Sequence, residues 1–471
     1  MLKTSFYNKK FTLEKVIALL FFLGVFFIPF SSFEGLSFLG EFKKEASFFF
    51  FIIVFLLLLI AVLFSQKIRI PFKNPLFFLL LIIVFWFFIS TLLNTHNIIH
   101  YNFKYTSGVN RFIRQYAVLI LSSVILLVTY YNVMSRYTNV EIFNKIRKVF
   151  LASLLVVFAY GFMEILIVKF NIKALRSALL LFDYFPFTNV YIDPNGERIS
   201  SVTYEPPALA TYLLTISGWM FSYIITEKGL KRFIPSIMIL ILALFSGSRS
   251  GLIIIGVQVL VFLLLLYNIK KYHQLLLRLA TGFAFITLII GIIKGPEISD
   301  YLKEKITSFK IYDSTHAVSN KSRFGIQYAL FQVFIDNPIS GVGYGQQTYE
   351  MIKNLPPWST YNNWEFKIKY LNPEHPAFPP GYNLFIRILA ETGIVGFVLF
   401  TSWILFILHT CFSLFKLKNQ DSILAMVLLI SMAGFIMNWF KMDTIRVFGF
   451  WINFALLLIL TRNIKFKIDK K

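Results

Sequence analysis

The chain has 471 residues, of which 57% are hydrophobic, 18% aromatic and only 15% charged, too few polar side chains to cover a water-soluble globule of this size. Its 46 Lys and Arg outnumber 23 Asp and Glu, giving a formal net charge of +23, but the basic residues are scattered between apolar runs, which argues for membrane lipids and against nucleic acid as partners. A lone Cys411 rules out an intrachain disulfide, and the six histidines lack metal-ligand spacing, so neither a metal nor a cofactor is expected.

Apolar stretches of about 20 residues recur along the chain, each matching the ~30 Å of hydrocarbon that a helix must cross. Runs such as Phe49 to Phe64 and Leu252 to Leu266 are apolar on every face, unlike the alternating strands of a barrel. The fold class expected is all-α, a polytopic membrane protein with about 12 transmembrane helices. In chain order the spans fall near 15–33, 46–64, 75–94, 113–133, 148–170, 206–226, 232–247, 251–269, 275–294, 384–412, 422–440 and 445–462. Met1 to Lys15 precedes an apolar run with no small-residue cleavage site, so Val16 to Phe33 is read as a retained span.

The spans divide the chain into a membrane region over 1–294 with an outer loop at 171–205, a large extracytoplasmic loop over 295–383 carrying short helices, and a second membrane region with a tail over 384–471. Placing both termini in the cytoplasm puts the basic groups Lys9-Lys10, Lys67 to Lys73, Lys145 to Lys148, Lys228 to Arg232 and Lys465 to Lys471 inside, as the positive-inside rule requires. The loop over 295–383 is too long for a connector. It holds an apolar helical pattern, Ile326, Leu330 and Phe334, that stops at Asn337-Pro338 before Gly341-Val-Gly-Tyr-Gly345. The glycine run lacks the preceding strand of a nucleotide loop and is read as backbone turning.

Three arginines fall on the outer side by this topology: Arg198 before the sixth span, Arg249 in the turn Ser248-Arg-Ser-Gly251, and Arg323 in the long loop. Guanidinium stays charged and offers a planar fork to phosphate oxygens, so a convergent set suits a pyrophosphate. The plain alternative for each is a solvated loop charge or one that reaches up to lipid headgroups. Among acids, Glu205 heads the sixth span in Tyr204-Glu-Pro-Pro207, where a first-turn carboxylate also suits the helix dipole. Glu164 lies inside the fifth span, and an ion pair with an outer arginine is its simplest explanation. His375, in Pro373-Glu-His-Pro376, sits near other candidates but is also explained by loop exposure. Trp358, Tyr361 and Trp364 suit either sugar stacking or interfacial anchoring.

Four passages then resemble, in order, the O-antigen ligase and polymerase superfamily of bacterial membrane glycosyltransferases. Arg198-Ile-Ser-Ser-Val-Thr-Tyr-Glu205-Pro206 resembles its arginine and Glu-Pro segment, and Phe245-Ser-Gly-Ser-Arg249-Ser-Gly251 its Ser-Arg turn between spans. Ser322-Arg323 through Asn337-Pro338 to Gly345 resembles its loop helix with a Gly-x-Gly-x-Gly turn. Tyr382-Asn383 through Ala390-Glu391-Thr-Gly393-Ile-Val-Gly396 resembles its His-Asn and Ala-Glu-x-Gly-x-x-Gly motif, with Tyr382 standing where the ligases carry histidine. The resemblance covers about 198–396.

It implies an enzyme of the bacterial inner membrane that takes polyprenyl-pyrophosphate-linked glycans as substrates without metal. Arg198, Arg249 and Arg323 would hold the pyrophosphate, and Glu205, then Tyr382 and His375, would serve as base or orient the acceptor. The missing histidine favours a polymerase of O-antigen, capsule or exopolysaccharide, working with a chain-length regulator, over a ligase acting on lipid A core. A lipid-linked glycan transporter would instead carry charges at mid-membrane and inverted repeats, neither of which is visible.

Overall fold

The computed structural model describes residues 2–64, 67–193, 198–282 and 317–462, with backbone alone through residue 12. It is built from helices: α1 (Leu2–Phe26), α2 (Ala46–Leu63), α3 (Pro75–Leu93), α4 (Gly108–Met134, with a π-helical turn at Leu121–Ile125), α5 (Asn139–Phe170), α6 (Pro206–Thr226), α7 (Ile234–Phe245), α8 (Arg249–Tyr267), α9 (Ala317–Asp336), α10 (Leu384–Lys416), α11 (Ser422–Asn438) and α12 (Phe448–Leu460). Among the described residues the strands are two residues each, β1 (Asn102–Phe103) and β2 (Thr106–Ser107), paired antiparallel.

Seven of these helices, α2 to α6, α8 and α10, are long and apolar enough to cross a bilayer. Fewer helices meet that measure than the sequence led us to expect. α7, α11 and α12 fall on expected spans but are only 12, 17 and 13 residues long. The span expected at 275–294 lies mostly outside the described residues.

Helix boundaries follow side-chain chemistry. Asn74 caps α3 by accepting from Leu76 N at 3.0 Å, with Pro75 at the first helical position, where a missing N–H does no harm. Thr138 and Glu141 form a reciprocal capping box at the start of α5. α12 is buried on all sides, packed against α11 and the second half of α4, and α6 and α11 are mostly buried and pack against each other, so their uniformly apolar surfaces meet protein. Two buried polar side chains bridge the helices: Trp219 of α6 donates to Asn453 Oδ1 of α12 at 3.2 Å, and Gln258 of α8 donates through Nε2 to the carbonyls of Leu214 in α6 and Ile430 in α11.

The long loop folds back on the bundle. α9 buries Ile326, Ala329, Leu330 and Val333 in a small apolar core with Met351, Phe366, Tyr370 and Ala390. Gly341, Gly343 and Gly345 all have positive φ, and Val342 and Gly343 donate to the carbonyls of Ala390 and Glu391 at 3.0 and 2.8 Å. Gly393 is the reciprocal contact: its φ is +65°, and a Cβ there would lie 2.1 Å from the Ile339 carbonyl oxygen. The glycine-rich motif and the Ala-Glu-x-Gly motif are thus two halves of one backbone junction. On its other side Lys104 donates to the carbonyls of Lys369, His375 and Ala377 at 2.7 to 2.9 Å, fastening the loop to the hairpin before α4.

Candidate active site

A cavity of about 710 Å3 opens at one end of the bundle, where α1 finishes and α2, α6, α8, α10 and α12 begin. It follows α6 from Pro207 to Thr215, roughly 12 Å of helix at 1.5 Å rise per residue. The cavity is therefore a cleft running into the helical bundle, with α9 of the long loop as its outer wall.

Arg198 reaches this cleft because its segment is held from two sides. Ser200 and Ser201 donate their backbone N–H groups to the two carboxylate oxygens of Glu164 at 3.2 and 2.8 Å. Glu164 is fully buried in α5, and these amides take the place of the arginine ion pair expected for it. Ile199 donates to Phe245 O at 3.3 Å, and Arg198 Nη2 donates to Gly247 O at 2.8 Å. The chain turns at Gly247, φ +62°, and Ser248 then caps α8 by accepting from Gly251 N. Arg249 is the first residue of that helix, so its side chain leaves the same turn on which Arg198 rests.

Arg323 comes from the opposite wall. Asn320, Arg323, Phe324 and Gln327 share one face of α9 and line the cleft, while the other face packs into the loop core. Arg198, Arg249 and Arg323 all line the cleft, and the charges of Arg323 and Arg198 both act on Arg249. Three like charges converging in a partly dehydrated cleft form a site that favours an anion.

Glu205 and Tyr382 line the same cleft. Glu205 stands at the N-cap position of α6 without capping it, which leaves its exposed carboxylate turned to the cavity. Tyr382, φ +56°, shares a short hydrogen bond with the Tyr370 hydroxyl, and its ring faces the Arg323 guanidinium at 5.4 Å. Burial, reinforced by Tyr370, pushes the Tyr382 hydroxyl well above the ordinary phenol range, so it stays protonated and serves as a hydrogen-bonding group. Asn383, beside it, caps α10 by accepting from Phe385 and Ile386.

His375 does not line the cleft. Its Nδ1 accepts from Ala377 N at 3.1 Å and its carbonyl accepts from Lys104, roles that shape the loop. Trp358, Tyr361 and Trp364 also lie outside the cavity wall, the last two well exposed.

The wall also holds Lys44, Glu45, Glu365, Lys369, Lys441 and Arg446, none singled out from the sequence, and among these Lys441, Glu365 and Arg446 each bury a polar atom that makes no hydrogen bond. Lys441, in the turn between α11 and α12, has a buried Nζ without a hydrogen-bond partner. Burial and the Arg323 charge push its amine down to about 8, against the opposing pull of Glu205. Glu365, beside Tyr370, has a buried Oε2 that is likewise without a partner. The signal for Lys441 was present as an ionisable residue in a short connection between two apolar runs. Nothing in the local sequence marked Glu365.

The candidate metal clusters number none among the described residues. In comparisons with known proteins, residues 234–401 match the model of a family described as O-antigen ligase. The match spans Arg249, Arg323, Tyr382 and both halves of the glycine junction, while Arg198, Glu205 and Lys441 lie beyond it. No curated protein matches the chain.

Proposed function

We propose that the chain, whose residues 234–401 match the O-antigen ligase family, is a member of the O-antigen ligase and polymerase superfamily that polymerises a cell-surface polysaccharide at the outer face of the bacterial inner membrane. Its donor is a glycan on polyprenyl pyrophosphate, and its acceptor is a second lipid-linked repeat unit. The observation that supports this most directly is the convergence of Arg198, Arg249 and Arg323, from three distant segments, on one cleft that enters the bundle.

In the reaction an acceptor hydroxyl oxygen bonds to the anomeric carbon of the donor as the bond from that carbon to the phosphate oxygen breaks. The electron pair leaves on polyprenyl pyrophosphate, whose growing charge the guanidiniums stabilise. Glu205 takes the hydroxyl proton, the role for which an exposed carboxylate in the cleft is suited. Tyr382, protonated and fixed by Tyr370, orients the acceptor from the opposite side. The cleft runs along α6 into the bundle, which lets a lipid tail stay in the membrane while its headgroup reaches the arginines.

Cells complemented with Arg249→Ala, with expression verified, should lose long chains on a gel that displays polysaccharide length, since one such contact is worth ~10²-fold or more in rate. Normal chain lengths would remove the pyrophosphate role. The family description keeps a ligase in contention, and deletion separates the two: a lost polymerase leaves single repeats attached to the final acceptor, whereas a lost ligase strands long polymer on its carrier.

A further inference from the structure

Lys441 is a buried ammonium that the fold does not neutralise. Its Nζ is shielded from solvent, makes no hydrogen bond, and lies close enough to Arg323 to feel its charge. An amine in that position is unfavourable by itself, because desolvation and a like charge both oppose it.

Its backbone is also fixed. Lys441 N donates to Asn438 O at 3.0 Å, continuing the end of α11, and Trp439 O just before it accepts from Leu384 N of α10 at 2.8 Å. Two residues on, the Asp443 carbonyl accepts from Arg387 Nη1 at 2.8 Å and its carboxylate accepts from Gly381 N at 2.6 Å. Beyond these, Arg446 pairs with Glu41 at 3.3 Å. With the turn tied to its neighbours on both sides of Lys441, the root of the side chain is held at the cleft wall.

We propose that Lys441 is a fourth cationic contact for the diphosphate, a point charge set against the arginine forks across the same cleft. This rests on the reading of the cleft as a diphosphate site. An ammonium with three donors and no partner fits a ligand with many acceptor oxygens, and the bound anion supplies the neutralisation that the protein withholds. Among the described residues Glu205 is the acid that acts on Lys441, and it does so as a neighbour in the cleft and not as a hydrogen-bonded counter-ion.

The test uses the purified full-length protein in detergent with inorganic pyrophosphate as the probe, its affinity read from the ligand-dependent rise in Tm. Wild type, Lys441→Met, Lys441→Arg and Arg249→Ala are compared. Lys441→Met should bind pyrophosphate ~10-fold or more weakly, the value of one charge-assisted hydrogen bond, while Lys441→Arg retains most of the affinity. Without ligand, Lys441→Met should melt at or above the wild-type temperature, because an uncompensated buried charge has been replaced by an apolar chain of similar length. A purely structural lysine would give the reverse, a lower Tm with unchanged affinity, and that result overturns the proposal. Wild-type affinity in Lys441→Met together with weakened binding in Arg249→Ala overturns the role of Lys441 alone. Equal affinity in all four proteins, or none in wild type, removes the diphosphate site itself.

Discussion

The Arg198 guanidinium lies across Gly247, donating from Nη2 to the glycine carbonyl at 2.8 Å, and a Cβ on that glycine would sit 2.9 Å from Arg198 Nε. Two passages separated by a whole helical hairpin are thereby locked together, and the position of one candidate phosphate ligand depends on the bareness of another segment's backbone. Gly247→Ala should therefore displace Arg198 and also strain a left-handed residue, costing ~1 kcal/mol from the backbone alone. The expected outcome is a protein that reaches the membrane in near-normal amount yet makes short chains, checked by immunoblot and chain-length gel. Full-length polymer from this variant would show that Arg198 does not need its present seat.

Glu164 acts on the same segment from beneath. Removing its carboxylate leaves the amides of Ser200 and Ser201 buried without acceptors, at ~1–3 kcal/mol for each. Glu164→Ala should lower both Tm and chain length, whereas Glu164→Gln, which keeps one acceptor oxygen, should fall between it and wild type. Identical behaviour of the two variants in a detergent melt would contradict this bridging role.

For the acid–base assignment, Glu205→Gln should reduce polymer synthesis by ~10²-fold or more, within the range typical of a positioned proton acceptor. Tyr382→Phe should cost less than Glu205→Gln, since its hydroxyl, which remains protonated, orients the acceptor and does not take the proton, and His375→Ala should stay near wild type, because its ring is outside the cleft. Rates of lipid-linked oligomer formation in membrane vesicles measure all three. Severe loss in Tyr382→Phe with mild loss in Glu205→Gln would reverse the assignment.

Lys441 gives a pH dependence whose sign can be worked out. Its folded amine is depressed to about 8 from an ordinary 10.5, so between those values the unfolded chain holds a proton that the folded protein has released. Stability without ligand should therefore rise with pH across that window, and the rise should be absent in Lys441→Met. Affinity for pyrophosphate moves the other way, since binding needs the charged amine. The ratio of wild-type to variant affinity should shrink as pH passes upward through about 8, with Arg323 and Glu205 the facing groups that set the midpoint.

Gly393→Ala should separate the loop from the bundle. Its Cβ would collide with the Ile339 backbone at a left-handed position, and the neighbouring bonds from Val342, Gly343 and Ile394 depend on the same approach. Limited proteolysis should cut the variant between residues 337 and 383 under conditions in which wild type survives.

Long, uniformly apolar runs announced their helices directly, because backbone in lipid has few alternatives, and most edges moved by a few residues, although α1 starts 13 and α5 nine residues before the expected span. Convergence of the arginines was expected from a shared side of the membrane, but the means of it, Glu164 holding amides and Gly247 seating a guanidinium, depend on contacts between distant segments. The glycine run was correctly suspected of turning the chain, yet its mate at Gly393 was known only as part of a motif. Lys441 went unremarked because a lysine between two spans resembles any boundary charge until its missing partner is seen. His375 stood near the right residues in sequence but not in space, since Lys104 draws that stretch toward the hairpin.

Phe448–Leu460 is enclosed on every side, yet it follows in the chain every helix that encloses it. During synthesis the earlier helices must leave a vacant slot at the centre of the assembly until this one leaves the ribosome and slides in. Maturation is consequently a closing event: chains stopped before Phe448 should reach the bilayer but stay loosely assembled, and quality-control proteases should recognise them by that open seam.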